Sequence, residues 1–426
     1  MSGMKRNVVL ALAVAAAVAA PSAFATNGYF QHGYGMKAQG MGGAGVAYAQ
    51  DSLAAATNPA GMALIGDRMD VGLTWFRPNR EGEIAGNAFP GVDGSYDANA
   101  KQDFFIPEFG YNKMMNNNMS LGVSVYGNGG MNTSYTTPIP LFSGTNSAGV
   151  DLSQLFISPT LAFKLTPEHS VGIAINFAYQ QFKATGLQSF DNATFSSSPG
   201  NVTDNGYDSS TGWGARIGWT GQITQAVTLG ATYQTKTSMG EFDKYKGLFA
   251  EQGKFDIPSN YAVGIAIKAT PKTVVAFDVE EIKYSDSAAV NNKIDPLLSG
   301  VKLGSDNGPG FGWDDMTVYK LGISHELSND LTVRAGWNYG KQPISNNQTL
   351  FNMLAPGVVE NHLTLGATWK LAKNSEISGM YMHAFKNTVN GSGSIPPGFP
   401  PSGFGGGEAN LTMYQDSLGI AWGKKW

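Results

Sequence analysis

Cysteine is absent from this sequence, which rules out disulfides, thiolate metal sites and cysteine nucleophiles. Charge is scarce: Asp, Glu, Lys and Arg are 14% of 426 residues, against about 25% in ordinary soluble domains. Histidine is rarer still. The five present, His32, His169, His325, His362 and His383, lie in no G-x-S-x-G or H-E-x-x-H setting, so nothing points to a hydrolase or protease. Long apolar runs are missing beyond residue 20, and without about 20 such residues no helix crosses a bilayer.

What is present begins at the N-terminus. Lys5 and Arg6 precede an apolar run from Val8 to Ala20, and Ala23-Phe24-Ala25 supplies a small-x-small cleavage site. These are the parts of a secretory signal peptide, expected to span residues 1–25. Its removal leaves 26 basic against 32 acidic residues, a net charge of −6, which disfavours nucleic acid as a partner. Glycine is plentiful, 55 residues, and Gly40, Gly42 and Gly45 fall on a G-x-G-x-x-G spacing. That fingerprint holds a dinucleotide only between a buried strand and a helix. The preceding NGYFQHGYGMKA carries no continuous apolar run, so the glycines need another explanation.

Period-two alternation dominates the rest of the chain. In SVGIAINFAYQQF, Val171, Ile173, Ile175, Phe177 and Tyr179 alternate with Gly172, Ala174, Asn176, Ala178 and Gln180, so a strand here has one apolar and one small or polar face. The pattern recurs in VTLGATYQT, NYAVGIAIK, VYKLGISHEL, LTVRAGWNYG, HLTLGATWKL and EISGMYMHAF. Very short joints such as TPEH at 166–169, TQA at 224–226 and AKN at 372–374 alternate with long Gly-, Ser-, Asn- and Pro-rich connections. Short periplasmic turns and long outer loops are the asymmetry of an outer-membrane barrel.

Strands are expected near 69–80, 103–113, 119–128, 151–165, 170–185, 212–223, 227–237, 257–269, 273–285, 315–327, 331–341, 359–371, 376–386 and 411–426. This predicts an all-β fold, a 14-stranded antiparallel transmembrane β-barrel. An even count returns both ends to one side and lets the sheet close, leaving no unpaired backbone in lipid. Tryptophans sit within or near the strand ends, and the chain finishes GIAWGKKW, close to the aromatic end of bacterial outer-membrane barrels. Residues 26–68 remain, rich in Gly and Ala, without alternation and too short for a core of their own.

In that stretch, GYFQHGYGMKAQGMGGAGVAYAQDSLAAATNPAGMALIG resembles the N-terminal hatch of the long-chain fatty acid transporter (FadL) family. The likeness lies in the Gly-rich run followed by Ala47-Tyr48-Ala49 and Asn58-Pro59-Ala60. The resemblance implies three parts: signal peptide 1–25, a hatch plugging the barrel at 26–68, and the barrel at 69–426. It also implies transport of a hydrophobic small molecule, most simply a long-chain fatty acid, across the outer membrane by a monomer without cofactor or catalysis. Aromatic hydrocarbons are an alternative cargo, and a polar-solute porin an alternative function.

The family pattern places ligand at the mature N-terminus, here Thr26, Asn27, Gly28, Tyr29 and Phe30, and an inward kink in the third strand, here Gly127, Asn128, Gly129 and Gly130. Asn58, Pro59 and Ala60 read as a turn tying hatch to wall. Loop order makes Leu187, Phe190, Leu248 and Phe249 candidates for an outer apolar groove. Alternation puts Arg216, Lys320 and Arg334 on the lumen face, available to a carboxylate or paired with neighbours such as Asp278 or Glu280.

Overall fold

The computed structural model describes residues 26–142, 145–372 and 374–426; the expected signal peptide lies outside the described residues. Fourteen long strands follow one another: β1 (Arg68–Ala85), β2 (Phe104–Met114), β3 (Met119–Ser134), β4 (Gly149–Lys164), β5 (His169–Thr185), β6 (Asp208–Gln222) and β7 (Val227–Gln234), then β8 (Asn260–Thr270), β9 (Thr273–Ile282), β10 (Met316–Glu326), β11 (Leu331–Gly340), β12 (Asn361–Lys370), β13 (Ser375–Val389) and β14 (Glu408–Lys425). Each pairs antiparallel with the next, and β14 pairs with β1 from Lys425↔Arg68 to Glu408↔Ala85. The sheet is therefore a closed barrel. Two short segments, Gly94–Asp97 and Ser238–Met239, add onto β1 and β6 on the loop side.

Strand faces follow the alternation. On β10, Thr317, Tyr319, Leu321 and Ile323 are exposed, while Met316, Val318, Lys320 and Ser324 are buried. Trp213, Trp337, Trp369, Trp422 and Trp426 also lie on the outer surface, where amphipathic rings suit a membrane interface. Several strand ends differ from expectation: β1 runs on to Ala85, β3 to Ser134 and β13 to Val389, β6 begins at Asp208, and β7 and β9 stop at Gln234 and Ile282. Beyond the apolar belt a strand's outward residues face water, as exposed Glu81 and Glu83 do, so hydrophobic alternation no longer marks its end.

Residues 26–67 bond to side chains on several strands of this wall. Asp278 on β9 accepts the N–H groups of Gly45 at 2.7 Å and Val46 at 2.9 Å. Asp70 on β1 accepts that of Ser52 at 2.9 Å, and Glu108 on β2 that of Gly35 at 3.2 Å. Lys37 pairs with Glu376 on β13 at 2.5 Å. The segment has almost no regular structure, so its backbone donors need such partners wherever they are buried.

One glycine of that spacing now has its explanation. Gly42 sits at φ +68° with its N–H on Thr364 Oγ1 at 2.8 Å, and a Cβ there would fall 2.7–2.9 Å from the Trp337 backbone. Only glycine allows this conformation and approach together.

Candidate functional site

Where the four long loops between β5 and β12 meet, at 186–207, 235–259, 283–315 and 341–360, lies an apolar cavity. Leu187, Phe190, Leu248 and Phe249, proposed from loop order, all line it. Phe182 and Phe351, which the sequence reading did not single out, complete much of the wall. Phe182 meets Phe249 edge-on at 4.6 Å and Phe190 meets Phe351 at 5.4 Å, nearly perpendicular. No charged side chain lines the cavity.

Below it, the first described residues form a tight turn. Asn27 and Phe30 exchange backbone hydrogen bonds at 3.1 and 3.2 Å around Gly28 at φ +60°, and Thr26 Oγ1 donates to the Phe30 carbonyl at 2.5 Å. All five residues from Thr26 to Phe30 are buried. Tyr29 packs against Tyr284 at 5.4 Å, and against Phe255 and Trp313 at 6.0 Å each. Tyr284 donates to the Asn27 carbonyl at 2.5 Å and accepts from Tyr29 N–H at 3.2 Å. Burial raises the pKa of both phenols, so each stays neutral and able to donate.

This turn is stitched to β3 at the glycine cluster. Gly127 pairs with Leu155 and Gly129 with Gln154, leaving Asn128 as an extra residue: a β-bulge, which bends its strand. Gly130 N–H donates to the Tyr29 carbonyl at 3.0 Å and Gln31 N–H to the Asn128 carbonyl at 3.2 Å. Gly129 is required, because a Cβ there would overlap the Tyr29 carbonyl oxygen.

Pairing between β2 and β3 stops at Phe109↔Val125. From there Phe104–Glu108 lacks its β3 neighbour, until Ser134 bonds with Ala98 and Ala100 above, at 3.1 and 2.9 Å. Pro107 lies in this unpaired stretch, where a missing N–H is tolerated. The wall thus has one unpaired seam beside the N-terminal turn.

The family described as "Outer membrane protein transport protein (OMPP1/FadL/TodX)" matches residues 12–395. The chain belongs to this family. It is an outer-membrane transporter of hydrophobic compounds. Its fold is similar to that of the Pseudomonas putida toluene transporter TodX (17% identity, 93% of this chain and 99% of that one, TM-score 0.68). It is likewise similar to a Pseudomonas aeruginosa FadL homologue (16%, 93% and 99%, TM-score 0.70) and to the Ralstonia pickettii toluene transporter TbuX (18%, 93% and 99%, TM-score 0.64). No curated protein matches the chain.

In this FadL/TodX-family barrel the three lumen cations chosen from alternation are buried but engaged. Arg216 donates to Gln234, Asn260, Thr232 and the Thr57 carbonyl at 2.8–3.3 Å. Lys320 pairs with Glu280 at 2.7 Å, and Arg334 reaches Gln50 at 3.0 Å and Thr368 at 2.7 Å. Arg216 and Lys320 share a small polar cavity with Asp278 and Glu280; Arg334 does not reach it.

Asn58 caps the short helix at Pro59–Ala63 by accepting Ala60 N–H at 3.1 Å, and donates to the Trp219 carbonyl on β6 at 2.9 Å. Missed by sequence reasoning were Tyr284, Trp313 and an amide row across β3, β4 and β5. In that row Asn128 donates to Gln154, and Gln154 to Gln180, each at 3.2 Å. The row's inward parity was readable, but which inward residues meet depends on register.

Proposed function

We propose that the chain draws hydrophobic molecules, with long-chain fatty acids as principal cargo, from the outer cavity past the N-terminal turn and out through the β2–β3 seam. The observation that carries this reading is the charge-free cavity of phenyl and aliphatic side chains gathered from several outer loops. Each methylene buried there contributes about 0.8 kcal/mol. Residues 26–68 act as a hatch and 69–426 as the barrel of a monomer. The bulge at Asn128 and the turn from Thr26 to Phe30 form the inner station. Held by a few bonds, that turn is the part that can be dismantled to release ligand.

A second cargo, aromatic hydrocarbons, is favoured by the density of phenyl rings around the cavity, and the similar proteins TodX and TbuX are toluene transporters. The test is equilibrium binding to detergent-solubilised full-length protein, comparing a long-chain fatty acid with toluene, with and without residues Thr26–Phe30. Saturable fatty-acid binding weakened by the deletion supports the reading; tighter toluene binding moves the cargo to aromatics. Binding of neither, with steady ion conductance in a planar bilayer, would replace the transporter with a porin.

A further inference from the structure

At the outer end of β13 the ladder to β14 slips by one residue. Ala384 faces Gln415 and Asn387 faces Met413, so Phe385 and Lys386 together stand opposite Tyr414. This is a β-bulge, a device that re-aims side chains. In a regular strand two consecutive residues point to opposite faces. Here Phe385 and Lys386 are both exposed, between buried Ala384 and half-buried Asn387. The bulge sets a lysine on the outside of the wall, beside an exposed phenyl ring.

Lys341 adds a second cation. It follows Gly340, the last residue of β11, is exposed, and shares the parity of outward-facing Trp337. Because β11 and β13 flank β12, the two lysines rise two strand spacings apart, about 10 Å. Neither has an ion-pair, hydrogen-bond or ring partner among the described residues. Other cations at the outer strand ends are committed: Lys236 to Asp256 at 3.0 Å, Arg77 to Asp103 at 3.5 Å, Lys101 to Asp151 at 2.5 Å, and Lys283 to Asp315. The acids closest in register are engaged as well. Asp416 accepts from Tyr381 at 2.6 Å and lies 2.9 Å from His383 Nδ1. Glu360 accepts the Gln342 N–H at 3.2 Å, and Glu81 and Glu83 on β1 accept from Ser95 and Asn410.

Depth decides what meets this patch. Below it on the same face lie exposed Leu363 and Leu365 on β12 and Leu418 on β14, part of the apolar belt that faces acyl chains. Beside it Trp337 and Tyr339 stack at 5.7 Å with 8° between their planes, rings suited to a membrane interface. The bulge thus lies where the belt gives way to the outer loops, at head-group depth. Lysines at that depth attract anionic head groups, and an ammonium binds phosphate as a point charge.

We propose that the face of β11 to β14 around this bulge docks lipopolysaccharide, the phosphorylated glycolipid of the outer leaflet. Lys386 and Lys341 meet its lipid A phosphates, and its acyl chains run along Leu363, Leu365 and Leu418. The site is on the outside of the wall and binds a lipid of the membrane, not the cargo. It requires the outer-membrane placement but not the transport reading above.

The test titrates detergent-solubilised full-length protein with diphosphoryl lipid A, with lipid A stripped of both phosphates, and with phosphatidylglycerol. The unmodified chain is compared with the double variant Lys341→Gln, Lys386→Gln and with Lys236→Gln, a rim lysine that already has a partner. The double variant is expected to bind diphosphoryl lipid A on the order of 30-fold more weakly, with the dephosphorylated form changed less than about threefold. Lys236→Gln is expected to change neither by more than about threefold, and fatty-acid binding by the double variant should equal that of the unmodified chain. Unchanged affinity in the double variant, or equal loss for both forms of lipid A, would overturn the assignment. So would phosphatidylglycerol binding as tightly as diphosphoryl lipid A and weakening as much, which would make the patch a general anionic-lipid surface. If the double variant does not form a heat-modifiable folded barrel, the single variants replace it, with a selective loss of about fivefold required of each.

Discussion

His32 and Asp51 show how the lumen tunes single groups. Burial lowers His32 to a pKa of about 4, with its Nε2 against the Gln39 carbonyl at 3.3 Å and its ring stacked on His362 at 6.4 Å. A histidine depressed in this way contributes stability that is complete above pH 6.5 and is lost as pH falls toward 4. Asp51 is raised to about 6, first by burial and then by Asp70, so its contribution has the opposite sign: stability falls as pH rises from about 4 to 6. Each effect is worth up to roughly 3 kcal/mol. Hydrogen exchange across residues 30–55 separates them. His32→Gln is expected to leave protection that declines with rising pH in this window, and Asp51→Asn protection that rises; unchanged profiles in both would contradict the assigned protonation states. Asp278→Ala, which strands the N–H groups of Gly45 and Val46, should cost the same segment about 2 kcal/mol or more, read as faster exchange there. None of these partnerships was legible in the sequence. Alternation fixes that Asp278 and Arg334 face inward, but what each meets is decided by residues dozens to hundreds of positions away.

At the level of elements, the strands were the most readable feature, because lipid on one side and packed lumen on the other impose a two-residue period for the length of the apolar belt. β10 and β13 fall within three residues of expectation at either end. Above the belt the period loses its cause, and the extensions of β1 and β3 were missed. The glycine cluster 127–130 was identified by its place in the third strand. Its consequence, a bulge that bonds to the N-terminal turn, follows from register, which one sequence does not display. Gly129→Val tests that bond. The added side chain displaces the Tyr29 carbonyl and removes up to two buried hydrogen bonds, at about 1–3 kcal/mol. Amide exchange at Tyr29, Phe30 and Gln31 is expected to quicken by about tenfold or more, while exchange in β9 to β12 stays unchanged. Slower or identical exchange at those three positions would show that the turn is held by its aromatic contacts instead.

For the molecule as a whole, a barrel of 14 strands encloses space for an aqueous channel, and the hatch proposed above would fill that space with residues 26–67. The intact protein should therefore pass no steady ionic current across a planar bilayer, whereas removal of residues 26–67 should produce discrete open levels; steady current through the intact chain would contradict a plugged lumen. Composition had already indicated the class, since scarce charge, absent cysteine and abundant glycine leave few alternatives for an exported chain. Cargo was less accessible, because the outer cavity is built largely by loops whose meeting points no period marks. The seam between β2 and β3 carries one more implication. An exposed strand edge usually recruits another strand, from the same chain or a neighbour. This one offers only the five residues Phe104–Glu108, and Pro107 among them has no N–H to give. The wall can thus stay unzipped at one place without becoming adhesive, and neighbouring copies crowded in the same membrane have no template there on which to fuse.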